Sequence, residues 1–239
     1  MNMVIPMAGE GRRFMEAGYT IPKYMIEVRG KTLLEWSVDS LPLDLCTNLI
    51  FVALETHEEK WKIERWIRNL YPHRFEIQVV FLKGVTRGQA ETALHAKQHM
   101  DMENPLLVYN IDTQFRSSAL KRQLLREDVD GVLGAFTSNE PRFSYAELDA
   151  AGRFVSRVAE KIVISANALT GLYHFKDPAD FIHVAESHIQ SNFRTGGEFY
   201  VAPVYNDLIA QGKRYVVDMA QEVNILGTPE EMKMFSRLA

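Results

Sequence analysis

Two glycines and three cations gather near the start of the chain, in Gly9-Glu10-Gly11-Arg12-Arg13 and then Pro22-Lys23. Glycine in such a turn lets main-chain N–H groups approach an anion with no Cβ in the way. Arginine and lysine add the positive charge that a phosphate needs. The loop matches neither common phosphate-binding design. It lacks the third glycine of the dinucleotide fingerprint, Glu55 lies too far downstream to serve as that motif's acid, and no lysine with serine or threonine follows the second glycine. A second chemical position is Asp112, which ends the apolar run Val108-Tyr109-Asn110-Ile111. A carboxylate at the C-terminal edge of an open parallel sheet can hold Mg²⁺ against a phosphate; the plainer alternative is a cap for a helix starting near Ser117. His95 and His99 stand four apart on one segment, but His95 has no neighbouring glutamate and no third ligand is in view, so they read as packed or solvated side chains.

Holding these groups in place requires strands that end together and helices that cover them. Short β-rich runs at 3–6, 48–54, 76–82 and 105–111 alternate with helical periodicity at 32–41, 58–70 and 89–99. That alternation predicts parallel strands with crossover helices on both faces. After an extended run at 131–136 the pattern changes: 143–148 and 154–158 flank the turn Asp149-Ala150-Ala151-Gly152 and predict a small antiparallel insertion. A strand at 169–175 follows, then helices at 178–190 with Asp177 as cap and at 204–210 closed by Gly212. Short extended pieces at 215–218 and 223–226 precede a final helix at 229–237 with proline in its first turn. The fold class expected is α/β, a three-layer α/β/α arrangement on a mixed, mostly parallel sheet.

With 239 residues, 46% of them hydrophobic, the chain can bury one large core, and a single compact domain is expected. A net charge of −4 argues against nucleic acid or an anionic membrane as the main partner, since backbone phosphates call for a basic field. Apolar runs such as 49–54 fall far short of the roughly 20 residues that span a bilayer, and no signal-like start is present, so a soluble cytoplasmic protein is expected. Cys46 is the only cysteine, which excludes an internal disulfide and a cysteine-based structural zinc site.

The stretch from Val4 to Leu41 resembles the signature of the sugar nucleotidylyltransferases, or NDP-sugar pyrophosphorylases: an apolar strand, Ala-Gly-x-Gly-x-Arg, Pro-Lys, then a Gly-Lys turn and a helix. Ala8-Gly9-Glu10-Gly11-Arg12-Arg13, Pro22-Lys23 and Gly30-Lys31 match in that order, with Met7 where alanine is more usual. The resemblance is to the short single-domain type related to capsule and lipopolysaccharide nucleotidyltransferases. It implies a Rossmann-like, GT-A-like fold, with 1–136 the nucleotide-binding half and 137–239 the acceptor-binding half and C-terminal helix. It also implies that backbone at Ala8, Gly9, Glu10 and Gly11 wraps a nucleoside triphosphate, and that Arg13 and Lys23 neutralise the departing pyrophosphate. Gly88, Gln89 and Ala90 stand where the family reads the base edge through small residues and main-chain groups.

Glu160-Lys161 is similar to the family's Glu-Lys pair, in which the lysine meets the acceptor's phosphate and the acid a hydroxyl; Ile162 replaces the usual following proline. Asn167, Thr170 and Glu198 fall in segments resembling the acceptor pocket. Asp112 is the expected Mg²⁺ ligand. Many relatives carry a second metal-binding aspartate just before Gly-Thr-Pro-Glu, here Gly227-Thr228-Pro229-Glu230, and Asp218 or Asn224 is the candidate for that role. The expected reaction condenses a nucleoside triphosphate with a sugar 1-phosphate, for surface-polysaccharide synthesis, in an enzyme that can act as a homodimer. Rivals are a cytidylyltransferase for a phosphorylated non-sugar such as phosphocholine, whose cation would need aromatic faces from Phe143, Tyr145, Tyr173, Phe199 or Tyr200, and a regulatory relative that binds nucleotide without catalysis. A glycosyltransferase is disfavoured because Asn110-Ile111-Asp112 lacks the first aspartate of an Asp-x-Asp motif.

Overall fold

Asn48–Leu54 is buried at all seven positions, as a strand walled on both faces must be. In the computed structural model, which describes residues 1–72 and 75–238, this run lies inside a nine-stranded sheet. In chain order the strands are β1 (Asn2–Pro6), β2 (Glu27–Val28), β3 (Lys31–Thr32), β4 (Asn48–Leu54), β5 (Glu76–Leu82), β6 (Leu106–Tyr109), β7 (Thr113–Arg116), β8 (Gly131–Thr137), β9 (Ser144–Leu148), β10 (Val155–Glu160), β11 (Asn167–Phe175), β12 (Tyr215–Met219) and β13 (Glu222–Ile225). β5, β4, β1 and β6 are parallel neighbours. β11 then runs antiparallel to β6 and, on its other edge, to β8, beside which β12 lies parallel. The β9–β10 hairpin joins the same sheet where Ala168 pairs with Tyr145. The expected antiparallel insertion is therefore an extension of the central sheet. β7 and β13 form a separate two-stranded ribbon, as do β2 and β3.

The helices are α1 (Arg12–Glu16), α2 (Leu33–Val38), α3 (Glu55–Trp61), α4 (Ile63–Leu70), α5 (Gln89–Leu94), α6 (Leu120–Leu124), α7 (Pro178–Gln190), α8 (Val204–Ala210) and α9 (Pro229–Ser236). One apolar cluster joins the sheet to α5, α7 and α8 through Ala93, Phe181, Val184, Tyr205 and Leu208. The other joins it to α2, α4 and α6 through Leu34, Val38, Ile63, Ile67 and Leu124. The three-layer architecture follows. A third, smaller cluster packs Phe14, Ile26 and Leu33 against Leu226, Met232 and Phe235, pinning the N-terminal loop to α9.

Three elements differ from the periodicity. The helix expected at 58–70 is broken at Lys62, whose φ of 52° is left-handed, and the Glu58 carboxylate accepts from Glu64 N at 2.9 Å to cap the second piece. The helix expected at 89–99 closes after Leu94, where His95 N and Ala96 N turn to carbonyls three residues back, and Lys97–His99 is a 3₁₀ turn. The strand expected to reach Ile111 stops at Tyr109, because the chain bends there: the Tyr109 hydroxyl donates to Thr113 O and Asn110 N to Gly171 O. That bend turns Asp112 out at the strand end. No helix among the described residues is long and apolar enough to cross a membrane.

Candidate active site

Ala8 and Gly9 follow β1 at the C-terminal edge of the parallel strands, and Gly11 opens α1 with a left-handed φ of 67°. A Cβ on Gly11 would lie 3.3 Å from the Cβ of Lys23. Glycine thus allows both the turn and the approach of the lysine. Tyr24, the next residue, is buried, and its hydroxyl lies 2.9 Å from His57 Nδ1, so the segment carrying Lys23 is anchored against α3. Lys23 Nζ donates to Asp112 Oδ2 at 2.8 Å. Arg13 reaches the same cleft from the first turn of α1.

That cleft has a volume of about 770 Å³ and is lined from both halves of the chain, a size suited to a cofactor-sized ligand. Its lining includes Ala8, Gly9, Arg13, Lys23, Gly88, Gln89 and Asp112 together with Glu160, Lys161 and Glu198. The remaining expected residues stand elsewhere. Glu10 is exposed and pairs with Arg12 at 3.2 Å. Gly11 underlies Lys23. Ala90 is 2% exposed, and its N–H donates to Phe199 O at 2.9 Å. Asn167 spends its side-chain amide on Ala146 O at 3.1 Å. Thr170, 2% exposed, turns its hydroxyl towards Gly134, where a Cβ would come within 2.4 Å of it.

Gly88 and Asn110 hold the two sides together. A Cβ on Gly88 would fall 2.4 Å from Phe199 O, so only glycine lets the start of α5 touch the segment that delivers Glu198 and Tyr200. Gln89 Nε2 donates to Asn110 Oδ1, and Asn110 in turn packs on Gly171, whose absent Cβ would collide with it. On the acceptor side the Ser144 hydroxyl donates to Glu160 Oε2, and Lys161 Nζ donates to the Tyr200 hydroxyl. Burial raises the Glu160 pKa, with Ser144 and Lys161 opposing. The Tyr200 hydrogen bond leads in raising that of Lys161.

Several cleft residues had no sequence signal: Arg142, Ser144 and Arg194. Arg142 Nη1 donates to Glu231 Oε1, and Arg142 Nε to Glu140 Oε2 at 2.8 Å. Glu231 was half legible, since Thr228 three residues earlier announces a capping box. Its N–H does bond Thr228 Oγ1 at 3.2 Å, while its carboxylate goes to Arg142.

A divalent cation in the cleft would need oxygen ligands from its lining. Asp112 fits, an oxygen ligand at a strand end and in the cleft. Asp218 is 1% exposed on β12, with Ser117 and Arg122 nearby, and does not line the cleft. Asn224, on the β7–β13 ribbon, donates to Gln114 Oε1 at 2.6 Å and does not line it either. Both Asp218 carboxylate oxygens and Glu231 Oε2 are buried without a hydrogen-bond partner. No group of three or more His, Cys, Asp or Glu side chains is gathered among the described residues, which accords with magnesium's habit of taking one or two carboxylates and completing its shell with phosphate and water.

The fold recurs over its full length in a solved structure, the nucleoside-diphosphate-sugar pyrophosphorylase of Vibrio cholerae RC9, with a TM-score of 0.85 and 34% identity over 99% of this chain and 100% of that one. The chain belongs to the nucleoside-diphosphate-sugar pyrophosphorylase family. The fold is shared more widely: the inositol-1-phosphate CTP transferase of T. maritima superposes with a TM-score of 0.76 at 18% identity, over 96% of this chain and 90% of that one. A UTP–glucose-1-phosphate uridylyltransferase of Haemophilus ducreyi is 32% identical over 87 residues, a stretch covering 36% of this chain and 27% of that protein. No protein-family model matches the chain. Family membership thus rests on the full-length likeness to the Vibrio pyrophosphorylase.

Proposed function

We propose that this pyrophosphorylase-family chain condenses a nucleoside triphosphate with a sugar 1-phosphate, giving a nucleotide sugar and pyrophosphate. One observation carries the reading: Ala8, Gly9, Arg13, Lys23 and Asp112 line the same cleft as Glu160, Lys161 and Glu198. An acceptor phosphate oxygen attacks the α-phosphorus as the bond to the bridging oxygen of the β-phosphate breaks, and that oxygen leaves with pyrophosphate. Such chemistry depends on positioning and charge neutralisation. Arg13 and Lys23 meet the growing negative charge of the leaving group. Lys161 holds the acceptor phosphate, and Glu160 and Glu198 accept hydrogen bonds from acceptor hydroxyls. Backbone at Gly88, Gln89 and Ala90 lies along the base. Asp112 would hold Mg²⁺, which when bound supplies positive charge to the phosphates.

A phosphocholine acceptor is disfavoured by the aromatic rings. A quaternary ammonium needs open ring faces, yet Phe143 is stacked by Arg142 at 4.6 Å, Phe199 by Arg87 and Arg194 at 5.0 Å each, and Tyr200 by Lys161 at 4.6 Å. A cage already filled with the protein's own cations would repel another. Carboxylates beside such rings suit a polyol.

The test is pyrophosphate release with each of the four nucleoside triphosphates crossed with sugar 1-phosphates, polyol phosphates and phosphocholine. UTP with glucose 1-phosphate comes first, the substrates in the name of the Haemophilus ducreyi relative. Release that depends on a sugar 1-phosphate is expected. No release from any pair would overturn the reading in favour of a nucleotide-binding regulatory protein.

A further inference from the structure

A lysine that is to meet an anion must be held in place without losing its charge. Its ammonium sits on a flexible four-carbon stem, which costs rotamer entropy to fix. Lys161 follows β10 with a left-handed φ of 58°, and its N–H donates to Phe143 O at 3.1 Å, so the backbone is set while the long side chain still needs an anchor. Two carboxylates act on its charge from nearby, Glu160 and Glu198. An ion pair with either would cancel it. The partner found is the Tyr200 hydroxyl, which accepts from Lys161 Nζ, while the Tyr200 ring lies 4.6 Å from the same nitrogen. Burial raises the Tyr200 pKa, so the phenol is uncharged at neutral pH. Tyr200 is itself tied down. Its neighbour Phe199 is buried and bonded through both backbone groups, donating from N to Arg87 O and accepting at O from Ala90 N, at 2.9 Å each. Thr195 and Glu198 close the preceding turn with two backbone hydrogen bonds of 3.1 Å.

We infer that Tyr200 is a positioning residue for the acceptor: it acts through Lys161, holding the ammonium in the cleft with its charge unspent and keeping it from pairing with Glu160 or Glu198. The inference rests on the reading in which Lys161 meets the acceptor phosphate, and it adds the residue that keeps the lysine fit for that task. A neutral oxygen fixes the ammonium by one of its three N–H groups and leaves the others for phosphate oxygens. The same contact leaves the two carboxylates to accept from acceptor hydroxyls. Lys23 is the contrast, since its partner is the Asp112 carboxylate. Because Phe199 bonds Arg87 and Ala90, the anchor of the acceptor lysine is built on the segment proposed to lie along the base.

The test is a double-mutant cycle on the full chain, run with the nucleoside triphosphate and sugar 1-phosphate that give pyrophosphate release. Tyr200→Phe keeps the ring and its contact with the cation and removes only the hydroxyl; Lys161→Ala removes the ammonium. Initial rates give kcat and both KM values for wild type, the two single variants and the double variant, alongside their melting temperatures. Tyr200→Phe should raise the acceptor KM about tenfold, the scale of one hydrogen bond to a charged group, with the nucleotide KM and melting at wild-type values. In the Lys161→Ala background the same change should add nothing, because a residue that acts through the lysine has nothing left to position. A structural role would cost the same in both backgrounds. An unchanged acceptor KM in Tyr200→Phe, beside a raised one in Lys161→Ala, overturns the inference and leaves Lys161 in its role. Equal losses in both backgrounds overturn it too, as does a Tyr200→Phe protein that melts lower or binds nucleotide more weakly. A wild-type acceptor KM in Lys161→Ala removes the reading beneath the inference, and a wild type that releases no pyrophosphate from any pair removes the reaction itself.

Discussion

Lys23 Nζ and Asp112 Oδ2 meet at 2.8 Å although 89 residues separate them in the chain. The contact closes the base of the cleft between the loop after β1 and the bend after β6. It also holds a cation and a carboxylate in register before any phosphate arrives, which lowers the reorganisation needed at the moment of transfer.

Replacing Lys23 separates that role from folding. The pair is only partly buried, with side-chain exposures of 19% and 27%, so its loss should cost about 1 kcal/mol of stability or less. Lys23→Ala should nevertheless lower turnover at least tenfold, and on the order of 10²-fold if the lysine neutralises the leaving group as an oxyanion-type donor does. Pyrophosphate release under saturating substrates checks this, and near-normal release would remove Lys23 from the mechanism.

Gly88 should tolerate nothing larger. Its φ of 147° is open to few L-residues, and an added Cβ would sit 2.4 Å from Phe199 O and 2.5 Å from Phe199 N, both backbone atoms with no freedom to rotate away. Gly88→Ala should destabilise the protein by about 2–4 kcal/mol and weaken nucleotide binding through the displaced start of α5. Chemical denaturation and nucleotide titration measure the two effects, and a variant with wild-type values in both would mean that the two segments can part freely.

What was legible in the sequence follows from how local each signal is. Ala8, Gly9 and Asp112 line the cleft from the strand ends where residue type pointed, Lys23 enters it from the turn after Pro22, and the alternation of strand and helix gave the three layers. Thr170 and Asn167 did not behave as their segment suggested. Side-chain alternation along a nine-residue strand, interrupted where β11 bulges around Gly171, turns Thr170 inward, and neighbouring backbone claims Asn167. The Arg142–Glu231 ion pair was invisible for a different reason. Each is a common surface charge in its own segment, and only the tertiary fold brings the segment before β9 to α9, 89 residues along the chain.

Glu160 supplies a pH signature. Its pKa lies above the ordinary carboxylate value because burial disfavours the charge, while the Ser144 hydroxyl pulls it down. Removing that donor raises it further. In Ser144→Ala the acid limb of the acceptor KM profile should therefore move to higher pH, with the nucleotide KM unchanged. An identical pair of profiles would show that Glu160 does not meet the acceptor in its ionised form.

Asp218 offers the opposite experiment, a buried acid outside the cleft. Burial raises its pKa above 3.8, with Ser117 and Arg122 opposing. A raised folded-state pKa means that the ionised form costs stability at neutral pH. That cost shrinks as pH falls through the folded pKa and vanishes below the unfolded one. Asp218→Asn removes the charge and keeps the shape, so the variant should melt higher at pH 7, on the order of 2–4 °C for each kcal/mol recovered in a chain of this size. Its advantage should fade towards pH 4 as the wild-type carboxylate takes up its proton. Turnover should stay at the wild-type level, because β12 delivers Asp218 beneath α6 and away from the phosphates. Differential scanning fluorimetry across pH, with pyrophosphate release on the same samples, reads both. A stability gain accompanied by lost turnover would return Asp218 to the metal site.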